Sequence, residues 1–178
     1  TMEFSNRQLV TNLNNRMRQI ANVSDSIQYY MYTLDNTPSY PLSAYLDAYD
    51  RTKSNISSLG SAFNILHISV FVKPDVLFSK ERFSFFQTSD LQKYHVDSDT
   101  LLSRGTKPYW KFSANQTFPY EVAPTPLPVL SCFRATMDVR KHELKYAYAI
   151  SLDCMEFSQM FSKSTPESTV TSYLVDPN

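Results

Sequence analysis

The feature that most constrains the fold is a pair of alternating segments, "VLSCFRATMD" and "LKYAYAISLD", at residues 129 to 138 and 144 to 153. Successive side chains along a β-strand point to opposite faces of a sheet, and the short segment "VRKHE" between the two suits a turn. The sequence therefore predicts an antiparallel hairpin. Because neither strand has a fully polar face, we expect the sheet to be covered at least in part on both sides.

A long amphipathic helix is predicted near the beginning of the chain, starting as early as Phe4. Its apolar residues recur at spacings of three and four: Leu9, Leu13, Met17, Ile20, Val23, Ile27, Tyr30, Met31 and Leu34. A helix of about 30 residues is roughly 45 Å long, which is more than a small domain needs. Two interpretations are open: the helix packs along its own domain, or it is a stalk that also pairs with a second subunit.

The middle of the chain predicts a second helix, two strands and a long irregular segment. Residues 42 to 59 have helical spacing and end before Gly60. "NILHISVFVK" is typical of a buried strand, and "VLFSKERFSFF" is predicted to form a hairpin with it through the turn "KPD". Residues 87 to 128 include a proline-rich loop whose aromatic residues argue against disorder. This order of elements predicts an α+β domain with a central antiparallel sheet.

Composition excludes several classes of function. Seventeen Lys and Arg balance seventeen Asp and Glu, so no net positive field attracts nucleic acid. Gly60 and Gly105 are the only glycines, which excludes a dinucleotide-binding fingerprint and a P-loop. The two cysteines, Cys132 and Cys154, and three scattered histidines have no zinc-site spacing, and free thiols are favoured over a disulfide. We predict no metal, no cofactor and, without a nucleophile motif, no enzyme activity in this segment.

Five residues are candidates for a ligand-binding site. Arg134 lies in mid-strand on the face that carries Cys132 and Thr136, so burying it demands an anion or another acceptor. Two interpretations are open: a structural one, with Arg134 at the rim or in an internal ion pair, and contact with a carboxylate or phosphate of a ligand. Tyr148 lies in the second hairpin strand, on the same face as Tyr146. Aromatic residues flanking the proline-rich loop could form the walls of a pocket: Tyr109, Trp110 and Tyr120. For all the aromatic residues, ordinary packing is the competing interpretation.

The alternating pattern of the second strand changes to helical spacing at Asp153, where "CMEFSQMF" begins. "DCME" has the form of a capping box, in which Asp153 accepts from the amide of Glu156 and Glu156 reaches back to the amide of Asp153. We therefore predict a structural role for Asp153 rather than a place in the pocket.

The order of these elements resembles the extracytoplasmic Cache sensor regions of bacterial membrane receptors, above all Gram-positive sensor histidine kinases. The resemblance covers most of the chain and is carried by the long helix, "ILHISVFV", the "YW" pair, the "PVLSCFRATMD" and "ELKYAYAISLD" hairpin, "MEFSQMF" and "SYLVDPN". It implies a long N-terminal helix packed on a PAS-like sheet with long pocket-flanking loops. The implied regions are a helical stalk with a second helix at residues 1 to 62, a sensor lobe at 63 to 168, and the start of a truncated membrane-proximal lobe at 169 to 178.

In that family the segment lies on the extracytoplasmic side of the membrane, between two transmembrane helices, and binds a small molecule or a ligand-loaded partner protein. The resemblance implies the same arrangement here, with the N-terminal helix as a lever and as the seam of a homodimer. Amino-acid-binding double Cache domains carry an Arg two residues before a Trp-Tyr pair, whereas Arg104 here is six residues before Trp110, so no ligand is carried over. The alternatives are a chemoreceptor ectodomain and a surface assembly domain without a small ligand.

Overall fold

The computed structural model describes residues 2 to 73, 85 to 118 and 125 to 164. Within these ranges, the fold is α+β as predicted, with five helices, one of them a 3-10 helix, and one five-stranded mixed sheet. The helices are α1 (Met2–Asp35), α2 (Leu42–Ala62), the 3-10 helix (Thr88–Tyr94), α3 (Ser98–Arg104) and α4 (Cys154–Ser164). The strands are β1 (His67–Val72), β2 (Phe85–Gln87), β3 (Tyr109–Gln116), β4 (Leu127–Asp138) and β5 (Glu143–Asp153).

The predicted hairpin forms the centre of the sheet. Strands β4 and β5 are antiparallel, with Phe133 opposite Ala149 and Arg134 opposite Tyr148. The strand order is β2-β1-β5-β4-β3, so β5 is flanked on both sides and almost all of its residues are buried. This position explains why β5 lacks a polar face, since both of its faces are covered by other parts of the chain.

The hairpin predicted for the two strands before residue 87 is wrong. Strands β1 and β2 are parallel, with Val70 opposite Phe85, so the sheet is mixed rather than wholly antiparallel. Parallel neighbours cannot be joined by a tight turn, because the chain must return to the end of the sheet at which it started. The predicted "KPD" turn begins at Lys73, and the other residues that connect the two strands, 74 to 84, lie outside the described ranges.

The long helix packs along its own domain, which confirms the first of the two interpretations. Helix α1 has 34 residues and is about 50 Å long. Most of its predicted apolar residues are buried: Leu9, Ile20, Val23, Ile27, Met31 and Leu34. Leu13 and Tyr30 are half-buried, and Met17 is exposed. Most of the residues predicted as a dimer seam are thus buried within the chain, and pairing with a second subunit stays a prediction.

Apolar clusters cover both faces of the sheet, as the alternating strands predicted. One cluster packs α1, α2 and α4 against the sheet and includes Ile27, Ile56, Val70, Tyr148, Ile150 and Phe157. The other lies under the 3-10 helix and α3 and includes Phe71, Leu91, Tyr94, Leu101, Phe133 and Ala149. Helix α2 ends at Ala62 rather than before Gly60. In the described part of the chain, no helix combines the length and the apolar character needed to span a membrane.

Candidate functional site

A cleft lies where strand β4 extends beyond its neighbour β3. The β3–β4 pairing reaches only to Tyr109 opposite Phe133, so residues 134 to 138 have no strand partner on that side among the described residues. The cleft has a volume of about 440 Å³, which lies in the range of small-molecule pockets. We call it the β4 cleft; its lining residues are Gln28, Leu101, Leu102, Gly105, Thr106, Arg134, Ala135, Thr136, Met137 and Val139.

Arg134 joins the β4 cleft to the long helix. Its Nη1 donates hydrogen bonds to Asp25 Oδ1 at 2.9 Å and to Ser24 Oγ at 3.1 Å. The Arg134 side chain is 22% exposed and that of Asp25 is 73% exposed. Burial by itself lowers the pKa of Arg134, but Tyr148, Asp25 and Cys132 together raise that pKa overall, so the guanidinium stays charged. The cleft therefore contains a fixed positive charge that is only partly neutralised by an exposed carboxylate.

Tyr148 completes the contact between the hairpin and α1. Its Oη donates to the backbone oxygen of Ser24 at 2.8 Å and lies 2.9 Å from Ser24 Oγ. Because the phenol has a single proton, Ser24 Oγ must donate to Tyr148 Oη while it accepts from Arg134. Burial raises the pKa of Tyr148 to about 12, so the phenol is neutral and holds this arrangement. Ser24, Arg134 and Tyr148 thus form one closed hydrogen-bonded group.

Gln28 provides a second contact, one helical turn further along α1. Its Nε2 donates to Thr136 Oγ1 and to Tyr146 Oη, both at 2.9 Å. Both strands of the hairpin are therefore hydrogen-bonded to α1 beside the β4 cleft. Ser24 and Gln28 were not predicted as site residues, although their spacing from Ile20 and Ile27 places them beside the buried face of the helix.

Two of the predicted site residues lie on opposite faces of the sheet. Tyr109 packs on Phe133 at 6.2 Å between ring centroids, and the Arg104 guanidinium lies 5.5 Å from the Tyr109 ring centroid, on the α3 side. Trp110 is opposite Cys132 and packs with the cluster under α1. Neither aromatic residue lines the β4 cleft.

Of the five predicted site residues, the structure brings Arg134 and Tyr148 together, as opposite partners in the hairpin. Arg134 has the internal ion pair that was one of its two interpretations, and it also lines the β4 cleft. Tyr120 lies outside the described residues.

A buried ion pair links α1 to α4 on the same side of the sheet. Arg16 is 6% exposed, and its Nη2 donates to Glu156 Oε2 at 2.9 Å. Arg16 Nε lies 2.8 Å from Glu156 Oε1, a close ionic contact that is not aligned as a hydrogen bond. The same guanidinium donates to the backbone oxygens of Phe63 at 2.7 Å and Asn64 at 3.0 Å, just after α2. Arg16 therefore joins α1, the end of α2 and α4.

The predicted capping box at the start of α4 is wrong. Asp153 Oδ1 accepts from the amide of Met155 at 2.8 Å, two residues along rather than three. The Glu156 carboxylate, predicted to reach back to the amide of Asp153, binds Arg16 instead. A charged partner buried in the fold offers this carboxylate a stronger interaction than a neutral amide does.

The two cysteines are free in the structure, as favoured from the sequence. Burial raises the pKa of Cys132 to about 12, so its thiol is not a nucleophile at neutral pH. Cys154 is half-buried at the beginning of α4. Within the described ranges, no three His, Cys, Asp or Glu side chains are grouped so that they could hold a metal ion.

Comparisons of the chain with protein-family models, with curated proteins and with solved structures give no match. The β4 cleft and its contacts with α1, together with the sequence resemblance, are therefore the basis on which a function can be assigned.

Proposed function

We propose that the chain is the extracytoplasmic ligand-sensing region of a bacterial membrane receptor of the sensor histidine kinase type. A small ligand binds in the β4 cleft and changes the placement of α1 on the sheet. The observation that carries the proposal is the double role of Arg134, which lines the cleft and is hydrogen-bonded to Ser24 and Asp25 of α1. The sensing segment itself has no catalytic step, and nucleic acid is not its partner.

The ion pair between Arg134 and Asp25 is weak enough for a bound ligand to compete with it. A ligand shifts a conformational equilibrium only by the difference between its affinities for the two states. The Arg134–Asp25 pair is exposed on the Asp25 side, and such pairs contribute about 0 to 1 kcal/mol. A ligand that makes one or two hydrogen bonds to Arg134 therefore competes with an interaction of similar size. Since α1 is about 50 Å long, a small tilt at residues 24 to 28 becomes a larger displacement at its ends.

The ion pair between Arg16 and Glu156 supports the transmission step. Helix α1 is the first described element and α4 is the last, and the two are joined through this buried contact. A movement of α1 therefore reaches α4 directly, without passing through the sheet. In the proposed receptor, these two helices lead toward the membrane-linked parts of the protein.

A thermal-shift screen tests whether the β4 cleft binds a ligand. We expect one class among amino acids, sugars, carboxylates and peptides to stabilise the chain, because a ligand that binds only the folded state raises its stability by mass action. Thr106→Trp should abolish the shift, since Thr106 is exposed and lines the cleft. Ser103→Trp is the matched control, because Ser103 is exposed on the neighbouring helix but does not line the cleft. Failure of every class to stabilise the chain would favour a surface assembly domain.

A distance measurement tests whether the ligand moves α1. Spin labels at Asn22→Cys on α1 and Ala114→Cys on β3 occupy exposed positions, in a Cys154→Ser background that leaves the buried Cys132 unlabelled. Double electron–electron resonance should show a change in the distance between the two spin labels on addition of the stabilising ligand. An unchanged distribution with the cleft saturated would contradict the sensing mechanism.

The membrane location makes a separate prediction about the complete protein. Apolar segments of about 20 residues should occur on both sides of the 178 residues described above. A complete protein that lacks both segments would overturn the receptor assignment, whatever the cleft binds.

A further inference from the structure

We infer that the ligand of the β4 cleft is a small monocarboxylate with an apolar body, held through the unpaired edge of the Arg134 guanidinium. The inference rests on the proposed function, because it names the ligand class of the same cleft. It comes from the way the donors of Arg134 are distributed and from the character of the other lining residues.

The hydrogen bonds of Arg134 leave one edge of its guanidinium available. Nη1 uses its donors on Ser24 and Asp25. Nε and Nη2 have no acceptor among the described residues, and neither is fully buried, so both can be reached from solvent. These two atoms form the planar fork that binds both oxygens of a carboxylate, an arrangement that is stronger and more directional than a single contact. A carboxylate that enters the cleft can therefore bind to both atoms at once.

The rest of the β4 cleft is suited to an apolar group. Among the described residues, Arg134 is the only charged one that lines it, and five of the lining side chains are apolar: Leu101, Leu102, Ala135, Met137 and Val139. A second carboxylate on the ligand would lie against these side chains without a partner, which is costly because a charge must be desolvated. A neutral ligand would leave the fork of Arg134 unused. One negative charge and an apolar body are therefore the best match.

Asp25 gives this site a built-in competitor. Its carboxylate occupies the Nη1 side of the same guanidinium on which the ligand would bind. A second carboxylate on Arg134 is repelled by the first, so ligand binding weakens the pair with Asp25 and loosens the attachment of α1 to the hairpin. Removing the charge of Asp25 should consequently strengthen ligand binding, whereas a purely structural Asp25 would leave it unchanged.

Ligand-observed NMR on the 178-residue chain, with hexanoate and benzoate as probes, tests the inference. Hexanoate should bind more tightly than hexanamide, which lacks the charge, and than adipate, which adds a second carboxylate at the far end. Arg134→Gln should weaken hexanoate binding roughly ten- to a hundredfold, and Arg134→Lys should also weaken it because lysine lacks the fork. Asp25→Asn should strengthen it, and Arg51→Gln, on the exposed side of α2, should have no effect.

A pair of exposed substitutions keeps the test independent of folding. Val139 is 71% exposed at the cleft, so Val139→Asp and Val139→Lys should fold normally, the first weakening and the second strengthening carboxylate binding by a few-fold. If neither probe binds, or if hexanoate binding is indifferent to Arg134 and to the charge at position 139, the carboxylate inference is overturned. A sugar or peptide whose binding is blocked by Thr106→Trp would overturn the inference and leave the sensing proposal intact, whereas the absence of any cleft ligand would overturn both.

Discussion

Replacing Arg16 with methionine should lower the free energy of unfolding by about 3 kcal/mol. Removing one partner of a buried ion pair costs about 3 to 5 kcal/mol, because the other charge is left without compensation. Glu156 is 23% exposed and can regain some hydration, which favours the lower end of this range. The backbone oxygens of Phe63 and Asn64 also lose their donor. Methionine retains much of the aliphatic volume, so a cavity adds little.

Urea unfolding followed by circular dichroism measures this loss. For a domain of 150 to 250 residues, about 3 kcal/mol corresponds to a fall of roughly 6 to 12 °C in the melting temperature. Arg18→Met is the matched control, since Arg18 is exposed two residues further along α1, and its effect should stay within about 0.5 kcal/mol. Glu156→Gln should cost about 1 to 2 kcal/mol, because the amide can still accept from Arg16.

A double-mutant cycle isolates the interaction between the two side chains. The loss in free energy of unfolding of the double variant Arg16→Met/Glu156→Gln should be smaller than the sum of the two single losses by about 1 to 2 kcal/mol, because the two residues share one contact. If Arg16→Met costs no more than Arg18→Met, or if the coupling is close to zero, Arg16 does not hold α1 and α4 together. The transmission route proposed above would then lose its structural basis.

Three further predictions concern buried groups. Burial lowers the pKa of His67 to about 4, so the unfolded chain takes up a proton on this residue before the folded chain does as the pH falls. The contribution of His67 to the free energy of unfolding should be fully present above about pH 6.5 and decrease by about 3 kcal/mol toward pH 4. His67→Gln should remove this part of the pH dependence in urea titrations at several pH values. Tyr148→Phe should destabilise the fold by about 1 to 2 kcal/mol, because two hydrogen bonds with Ser24 are lost, and an unchanged melting temperature would contradict the arrangement. Iodoacetamide at pH 8 should modify Cys154 but not the buried Cys132 in the folded chain, and mass spectrometry of the labelled protein would detect the opposite pattern.

The parts of the fold that the sequence predicted correctly are those with a strong local period. The alternation of residues 144 to 153 identifies β5 within one residue, and the spacing of α1 is uninterrupted over more than seven turns. The relation of β1 to β2 has no such signal, because alternation is the same in parallel and antiparallel strands. Pro74 and Asp75 suggest a tight turn from local chemistry alone, whereas the parallel pairing of Val70 with Phe85 is a tertiary contact that no local rule indicates.

The site shows the same division between local and distant information. A cation in the middle of a strand needs an acceptor, so the sequence could identify Arg134 as a residue of interest. Its partner Asp25 lies 109 residues away, and Glu156 lies 140 residues from Arg16. No local rule indicates such partners, and for Glu156 the local capping rule gave the wrong one.

The alternation of β3 bears on the predicted aromatic residues. Tyr109 and Trp110 are adjacent in a strand, and adjacent side chains point to opposite faces of the sheet. The pairing of β3 with β4 places Trp110 opposite Cys132, and thus on the face that also carries Arg134. Trp110, Arg134 and Tyr148 therefore share the α1 side of the sheet, and a ligand that enters the β4 cleft from this side meets the charge that holds α1. Sensing is thus best tested at α1 and Arg134 rather than at the aromatic pair.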